Sequence, residues 1–575
     1  MSVAQLSGCS SSNHSTCITP ASANRVATSF ALNAALRTDH VGSMNTPNGL
    51  RTHATGERPV YCNDVIRQPT DWTGLCCLLF VGLTVFILCL PFMRSIYGLG
   101  DEGMLLHGAE RLLRGQRLYV DFFAIHPPGG FLIVVGWLGI TGISMWSARL
   151  LAILTITGIA CFTYLACRQA SRHAPSSALI AIGWAVLSQG VWTQINHHWF
   201  TTLLSMVAAW AALSSVEKPQ RRQWQPLIAG VAAGAAAMVT SSRGALAMLA
   251  GATSFVGSRR QRPKLIAYVL GSALIPICLL GYVIAQGTLA AAFDYVIVFT
   301  ATRYVPIASV PFGYFMNDQN WPLKYLFPVV ALLTLVVCIR DWRTSLHDRV
   351  FRTCVAFGLA GFIGCFPRPD MAHIAFATPL VCPLLAYCTN RIIASWPPKY
   401  RYALAALVIS LGIPSAFVFS YFAYTALRED LVATPRGRVT LFYEGTQELM
   451  ARIAAAPSSD RYFFYPHMPM LPFLTAREHV SKYDLFYPGW TTPSQYQEAC
   501  ISVLRNASWL VIDRTRDLRR LRLSFPRMPD AAPPETKRFE LALQSGFEFV
   551  ARDGAFELRR RVKTADETLC AGIAE

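Results

Sequence analysis

The sequence predicts a polytopic α-helical membrane protein with a soluble α/β module at its C-terminal end. Three observations predict it. Of 575 residues, 53% are hydrophobic and only 15% charged, with a mean hydropathy of +0.35; a soluble chain carries about a quarter charged residues. Apolar runs recur near the ~20 residues that a helix needs to cross a hydrocarbon core. After Tyr424 the hydropathy falls, and strand-like runs begin to alternate with helical ones, the order of an α/β module.

Residues 1–73 are rich in Ser, Thr and Asn and contain no apolar run, which predicts a disordered tail. The charged-then-apolar order of a cleavable signal peptide is absent near residue 1. Membrane spans are predicted over 74–93, 147–167, 176–194, 199–216, 264–285, 323–340, 351–366, 372–390 and 402–424 within a membrane domain covering 74–427. Residues 226–256 read as two short spans broken at Thr240-Ser241-Ser242-Arg243-Gly244. The Gly-rich stretch 129–143 is short and reads as re-entrant, which gives eleven crossings; a full span there would make twelve. Residues 94–128 form the first loop outside the bilayer. Within it Glu102 to Leu113 is helix-like, with Leu105, Leu106, Ala109, Leu112 and Leu113 on one stripe, so it is expected to lie on the membrane surface.

The soluble module is expected over 428–575. Its helices are predicted at Tyr443 to Ala456, Pro493 to Leu504 and Glu535 to Gln544, the second beginning with Pro in the favoured first turn. Strands are predicted at Arg461 to Tyr465 and Trp509 to Asp513. Phe547 to Val550 and Ala555 to Leu558 flank Asp553-Gly554, a hairpin signal.

The formal charge of +18 does not point to nucleic acid. Most of the excess lies in 74–427, with twenty-five basic against ten acidic residues. Sixteen of those cations fall in five short loops, around Arg168 and Arg172, Lys218 to Arg222, Arg259 to Lys264, Arg340 to Arg352, and Arg391 to Arg401. Placing these loops in the cytoplasm satisfies the positive-inside bias. The alternate loops and the C-terminal module then face outward. Cysteines lie mostly inside apolar runs, no CxxC occurs, and Cys500 with Cys570 is the one pair available for a disulfide in the module. Motifs for nucleotide-driven transport, zinc proteolysis or serine hydrolysis are absent (GxxxxGK[ST], GxGxxG after a strand, HExxH, GxSxG).

The groups able to do chemistry sit in the outward loops. Asp101-Glu102 follows the first span and could act as general base toward a hydroxyl or amine, or hold a divalent ion against a phosphate. Its structural alternative is a helix N-terminus, where carboxylates favour the dipole. His126-Pro127-Pro128 sets a rigid corner, and His126 is a phosphate ligand, an acid or an interfacial side chain. Arg111, Arg114 and Arg117 are expected as headgroup anchors. His197 and His198 begin a helix; adjacent His residues lack the i,i+4 spacing of a helical zinc site, so no metal site is assigned. Arg243 is costly near a membrane unless paired or functional. Arg368, Asp370 and His373 supply a cation, a carboxylate and an imidazole, with an Arg368–Asp370 ion pair as the structural alternative.

In order, Asp101-Glu102, Ala109, Leu112-Leu113-Arg114-Gly115, Leu118-Tyr119-Val120-Asp121, His126-Pro127-Pro128-Gly129 and Trp146-Ser147-Ala148-Arg149-Leu150 resemble the start of GT-C glycosyltransferases. The resemblance is to bacterial relatives of the dolichyl-phosphate-mannose protein mannosyltransferases and of the aminoarabinose transferases. It covers roughly 74–220 and extends through the outer loops to 424. It implies an inverting transfer of a hexose or pentose from a polyprenyl-phosphate sugar to a glycan, lipid or protein acceptor. The implied site is the extracytoplasmic face of a bacterial inner membrane. Asp101 matches the family's proposed base and Glu102 its neighbouring carboxylate. Some relatives carry Lys where His126 stands, so Arg243 or Arg368 would supply the missing positive charge. His126, His197, His198, Arg243, Arg368, Asp370 and His373 are thus the expected substrate-binding set; the need for a divalent cation stays open. A lipid or glycan transporter is the alternative, and a structural subunit of an envelope complex a third reading.

Overall fold

The structure, a computed structural model, describes residues 71–217, 224–257, 259–315, 319–345, 347–562 and 567–574. The disordered tail expected over 1–73 therefore lies, as far as residue 70, outside the described residues, and so does the basic run Lys218 to Arg222. The first span is α1 (Trp72–Cys89), extended by a 3-10 turn to Arg94 and a two-residue strand β1 (Ser95–Ile96). Next come α2 (Asp101–Leu113), α3 (Gly129–Thr141), α4 (Met145–Ser171), α5 (Ala174–Ser188), α6 (His197–Glu217), α7 (Gln225–Ala237) and α8 (Ser241–Thr253). Then follow α9 (Arg262–Ala285), α10 (Leu289–Phe293), a π-helical stretch Asp294–Tyr304 and α11 (Val305–Ala308). The helical domain closes with α12 (Trp321–Arg340), α13 (Trp342–Ser345), α14 (Arg349–Gly364), α15 (Met371–Ile393) and α16 (Pro398–Arg428).

Among the described residues seven helices are long and apolar enough to cross a membrane, those of α1, α4, α6, α9, α12, α15 and α16. Side chains start several helices as expected of N-caps. Ser144 accepts from Ser147 N before α4, Asp348 from Val350 N before α14, and Asp370 from His373 N before α15. The α7–α8 hairpin breaks at 238–240, and Gly244 lets the helices touch, since a Cβ there would collide with the Ala237 backbone. With thirteen residues, α3 is about 20 Å long, short of a hydrocarbon core of about 30 Å.

The C-terminal module holds β2 (Val432–Thr434), β3 (Gly437–Leu441), α17 (Thr446–Ala455), β4 (Tyr462–Tyr465), α18 (Met470–Thr475), α19 (Pro493–Asn506), β5 (Trp509–Asp513), α20 (Leu518–Ser524), α21 (Pro534–Gly546), β6 (Phe547–Asp553) and β7 (Phe556–Arg561). A four-stranded sheet has the order β4-β5-β7-β6, parallel at β4–β5 and antiparallel elsewhere. Helix α19 carries a capping box between Thr492 and Gln495, and Cys500 on α19 is disulfide-bonded to Cys570.

The module is stitched into the first outer loop. Strand β3 pairs with β2 and, in parallel, with β1, so Ser95 faces Thr440 and Ile96 faces Leu441. Backbone bonds run from Met470 N to Leu99 O at 3.0 Å, Phe123 N to Lys482 O at 2.9 Å and Met145 N to Arg436 O at 2.9 Å. Gly103 lies against the Pro469–Met470 backbone with no room for a Cβ. One hydrophobic cluster joins Leu105, Leu106 and Ala109 of α2 to Phe131, to Ala148, and to Met470, Leu471 and Phe473. Helix α2 is therefore sandwiched between bundle and module, which corrects the surface-lying helix expected from its apolar stripe. Its polar face is covered: Glu110 accepts from Arg114 at 2.7 Å and from Arg436, and His107 contacts Asp484 at 3.4 Å. Arg111 is not a headgroup anchor, because it is buried and donates to Asp121 O at 2.7 Å and Ser481 O at 3.3 Å.

Candidate functional site

The fold separates the two residues of the acidic pair. Successive helical positions point about 100° apart, so only one can face a given side. Asp101, at the first position of α2, is exposed. Glu102 is 1% exposed and takes hydrogen bonds from the Arg149 guanidinium on α4 and from Ile195 N at 3.0 Å. Arg149, also buried, reaches the Ser95 carbonyl with its other terminal nitrogen. The Glu102 carboxylate is thus committed to tying α2, β1, α4 and the 189–196 loop together, and it does not share a surface with Asp101.

Asp101 acts electrostatically on four side chains that surround the start of α2: His126, Tyr304, His467 and Tyr487. From His126 a column of imidazoles runs into the bundle. His126 and His197 have ring centroids 3.8 Å apart, His197 and His198 4.1 Å, and His198 and His373 4.8 Å. Tyr119, in a left-handed backbone conformation, fixes the corner by donating its hydroxyl to the His126 carbonyl at 2.7 Å. Burial pushes the His126 imidazole down to about 4, against the pull of Asp101, so it is neutral at pH 7. His197 is 5% exposed and neither ring nitrogen has a partner.

Two guanidinium groups flank the column, in different electrostatic settings. Arg368 donates to Asp370 at 2.6 Å, and Asp370 also accepts from His373 Nδ1 at 2.7 Å. Burial opposes ionisation of Asp370, but His373 and then Arg368 outweigh it and hold the carboxyl well below its usual range. Arg368 further donates to Ser524 O at 3.0 Å and stacks 4.3 Å from the Phe525 ring, while its Nη1 is buried without a partner. Arg243, on α8, lies 3.2 Å from His198 Nδ1 and donates to Thr202 at 3.4 Å. It is buried, and among the described residues no carboxylate pairs with it. A buried cation without a carboxylate partner is costly, so the surroundings of Arg243 favour a negatively charged group.

The structure therefore brings Asp101, His126, His197, His198, Arg243, Arg368, Asp370 and His373 to one polar column, and turns Glu102 away from it. No cluster of three or more His, Cys, Asp or Glu residues able to hold a metal occurs among the described residues. Sequence reasoning missed the module's contribution. His467 donates Nδ1–H to the Asp484 carbonyl at 2.7 Å, and its ring meets Tyr487 edge-on at 5.6 Å. Tyr487 accepts from Arg516 at 2.6 Å, and Arg516 contacts Asp513 at 3.2 Å. The one available signal was the 476–492 loop, long for a linker and crowded with Tyr483, Phe486, Tyr487 and Trp490.

The fold is a GT-C-type fold, that of the membrane glycosyltransferase structures the chain resembles. Residues 125–284 match the family model described as dolichyl-phosphate-mannose-protein mannosyltransferase. Among solved structures the chain is similar to ArnT from Cupriavidus metallidurans bound to undecaprenyl phosphate, at 15% identity and a TM-score of 0.51, over 87% of this chain and 99% of that one. The apo state of the same ArnT gives 14% identity and a TM-score of 0.50, over 86% and 98%. A comparison with curated protein sequences finds no match.

Proposed function

We propose that this chain transfers a sugar from a polyprenyl-phosphate donor to an acceptor hydroxyl or amine at the extracytoplasmic face of the membrane. Asp101 is the general base. Arg243, with the His126–His197–His198 column, receives the donor phosphate, and Arg368, neutralised by Asp370, shapes the far wall. The observation that carries this reading is the buried Arg243 without a carboxylate among the described residues, joined by adjoining imidazoles to an exposed carboxylate. A sugar phosphate already has a good leaving group. The protein must remove a proton from the acceptor and stabilise charge growing on the departing phosphate, and these are the two charges the column separates. The matched ArnT structure contains undecaprenyl phosphate, which supports a lipid-linked donor. The Cys500–Cys570 disulfide supports an outward-facing module, because such bonds persist in oxidising compartments. Glu102 is assigned a structural task.

The test is purified protein supplied with a panel of undecaprenyl-phosphate hexoses and pentoses and an envelope lipid and glycan extract. The reading expects release of undecaprenyl phosphate with formation of a new glycosidic bond detected by mass spectrometry. Flux of intact donor across proteoliposomes with no new bond would contradict it in favour of a transporter.

A further inference from the structure

We infer that His467, delivered by the C-terminal module to the start of α2, is a positioning residue that takes the proton on from Asp101 and returns the base to its carboxylate form. The inference rests on the proposed role of Asp101.

The geometry is specific. The residue before Asp101 is Gly100, and a Cβ there would stand 2.6 Å from His467 Nε2. The imidazole therefore lies edge-on against the backbone that carries the base, and Asp101 is among the groups acting electrostatically on it. His467 is 6% exposed and is held at both sides. The bond from Nδ1 to the Asp484 carbonyl fixes the proton of the neutral ring on Nδ1, which leaves the Nε2 lone pair free against Gly100, the residue before Asp101. Met470 N on Leu99 O, three residues further along, locks this strip of the module to the loop. The charged and titratable groups facing the ring are Asp101 from α2, Asp484 and Tyr487 from the 476–492 loop, and Arg516 ahead of α20. Burial, then Arg516, keeps the ring less basic than usual, so it is neutral and able to accept.

The step balances. The acceptor's O–H or N–H proton goes to Asp101 as its electron pair forms the bond to the anomeric carbon. The carbon–oxygen bond to phosphate breaks, and its pair leaves with the polyprenyl phosphate. The proton then moves from the Asp101 carboxyl to His467 Nε2 and out to solvent. The module is then part of the catalytic machinery rather than a cover.

The test measures release of undecaprenyl phosphate from undecaprenyl-phosphate sugar in His467→Asn, His467→Ala and Gly100→Ala, each checked for native melting in detergent. His467→Asn keeps a donor near the Nδ1 position and removes the Nε2 acceptor that lies against Gly100. The expected result is a fall in kcat of about tenfold or more with the donor KM unchanged. The acid limb expected of wild type from protonation of this imidazole should be absent, and added imidazole should restore part of the rate of His467→Ala. Gly100→Ala, whose added Cβ would meet the imidazole, displaces the ring from the other side and should lower kcat without adding to the His467→Asn loss. Wild-type kcat and pH profile in folded His467→Asn, or in Gly100→Ala should the His467 variants not fold, would overturn the inference. Loss of activity in Asp101→Asn alongside that result would leave the base assignment standing; activity in Asp101→Asn would remove both.

Discussion

If Glu102 is structural, stability and turnover should separate cleanly between it and its neighbour. Glu102 and Arg149 are each 1% exposed, and Arg149 also holds the Ser95 carbonyl of β1. Removing one partner of a buried ion pair costs about 3–5 kcal/mol, because a charge is left inside without compensation. Arg149→Met leaves the Glu102 carboxylate with only Ile195 N and should fall in the upper part of that range. Glu102→Gln keeps an oxygen to accept from Ile195 N and Arg149, and should sit near the lower end. The double variant Glu102→Leu/Arg149→Met removes both charges and fills similar volume, so it should recover most of the loss. Thermal unfolding in detergent, followed by intrinsic tryptophan fluorescence, reads all three. Sugar transfer measured below the melting transition should stay within a fewfold of wild type in Glu102→Gln. Abolished transfer in a Glu102→Gln protein that melts normally would refute this reasoning and restore Glu102 as a second catalytic carboxylate.

Three further outcomes follow from the same geometry. Arg243→Ala removes a charged contact of about 1.5–3 kcal/mol, so the donor KM should rise roughly 10- to 100-fold; Arg368→Ala, whose charge Asp370 already neutralises, should affect the donor less and melting more. His479, buried and pushed down to about 4, is neutral in the fold, whereas the unfolded chain takes up a proton near 6.5. Its stabilisation, up to about 3 kcal/mol, is present above pH 6.5 and lost as pH falls through 4, so the melting temperature should drop across that window and drop less in His479→Gln. The Cys500–Cys570 bond spans 70 residues and should be worth about 2–4 kcal/mol; reducing agent should lower the melting temperature of wild type and leave Cys500→Ser/Cys570→Ser unchanged.

Periodicity and punctuation made much of the fold legible. Trp509–Asp513 is a strand at the predicted bounds, and α19 starts at Pro493, where a Pro in the favoured first turn places it. The two-helix reading of 226–256 holds, but the break falls at 238–240, ahead of most of the expected 240–244, and Arg243 lies inside α8. What could not be read was long-range packing. The stripe on α2 shows one buried face, but nothing local says that Asp484 and Arg436 cover the other. Asp101 and Glu102 look alike in sequence, and only the position of Arg149, 47 residues on, tells them apart. The imidazole column needed three separate segments to converge, and its partner His467 comes from a Pro-rich loop more than 300 residues from His126.

The central claim is that Asp101 is the base serving a lipid-phosphate donor held by the imidazole column and Arg243. Single-turnover transfer from an undecaprenyl-phosphate sugar by folded Asp101→Asn protein tests it most directly. A rate lower by about 10²–10⁴-fold with donor binding intact is the expected result; a rate close to wild type would contradict it.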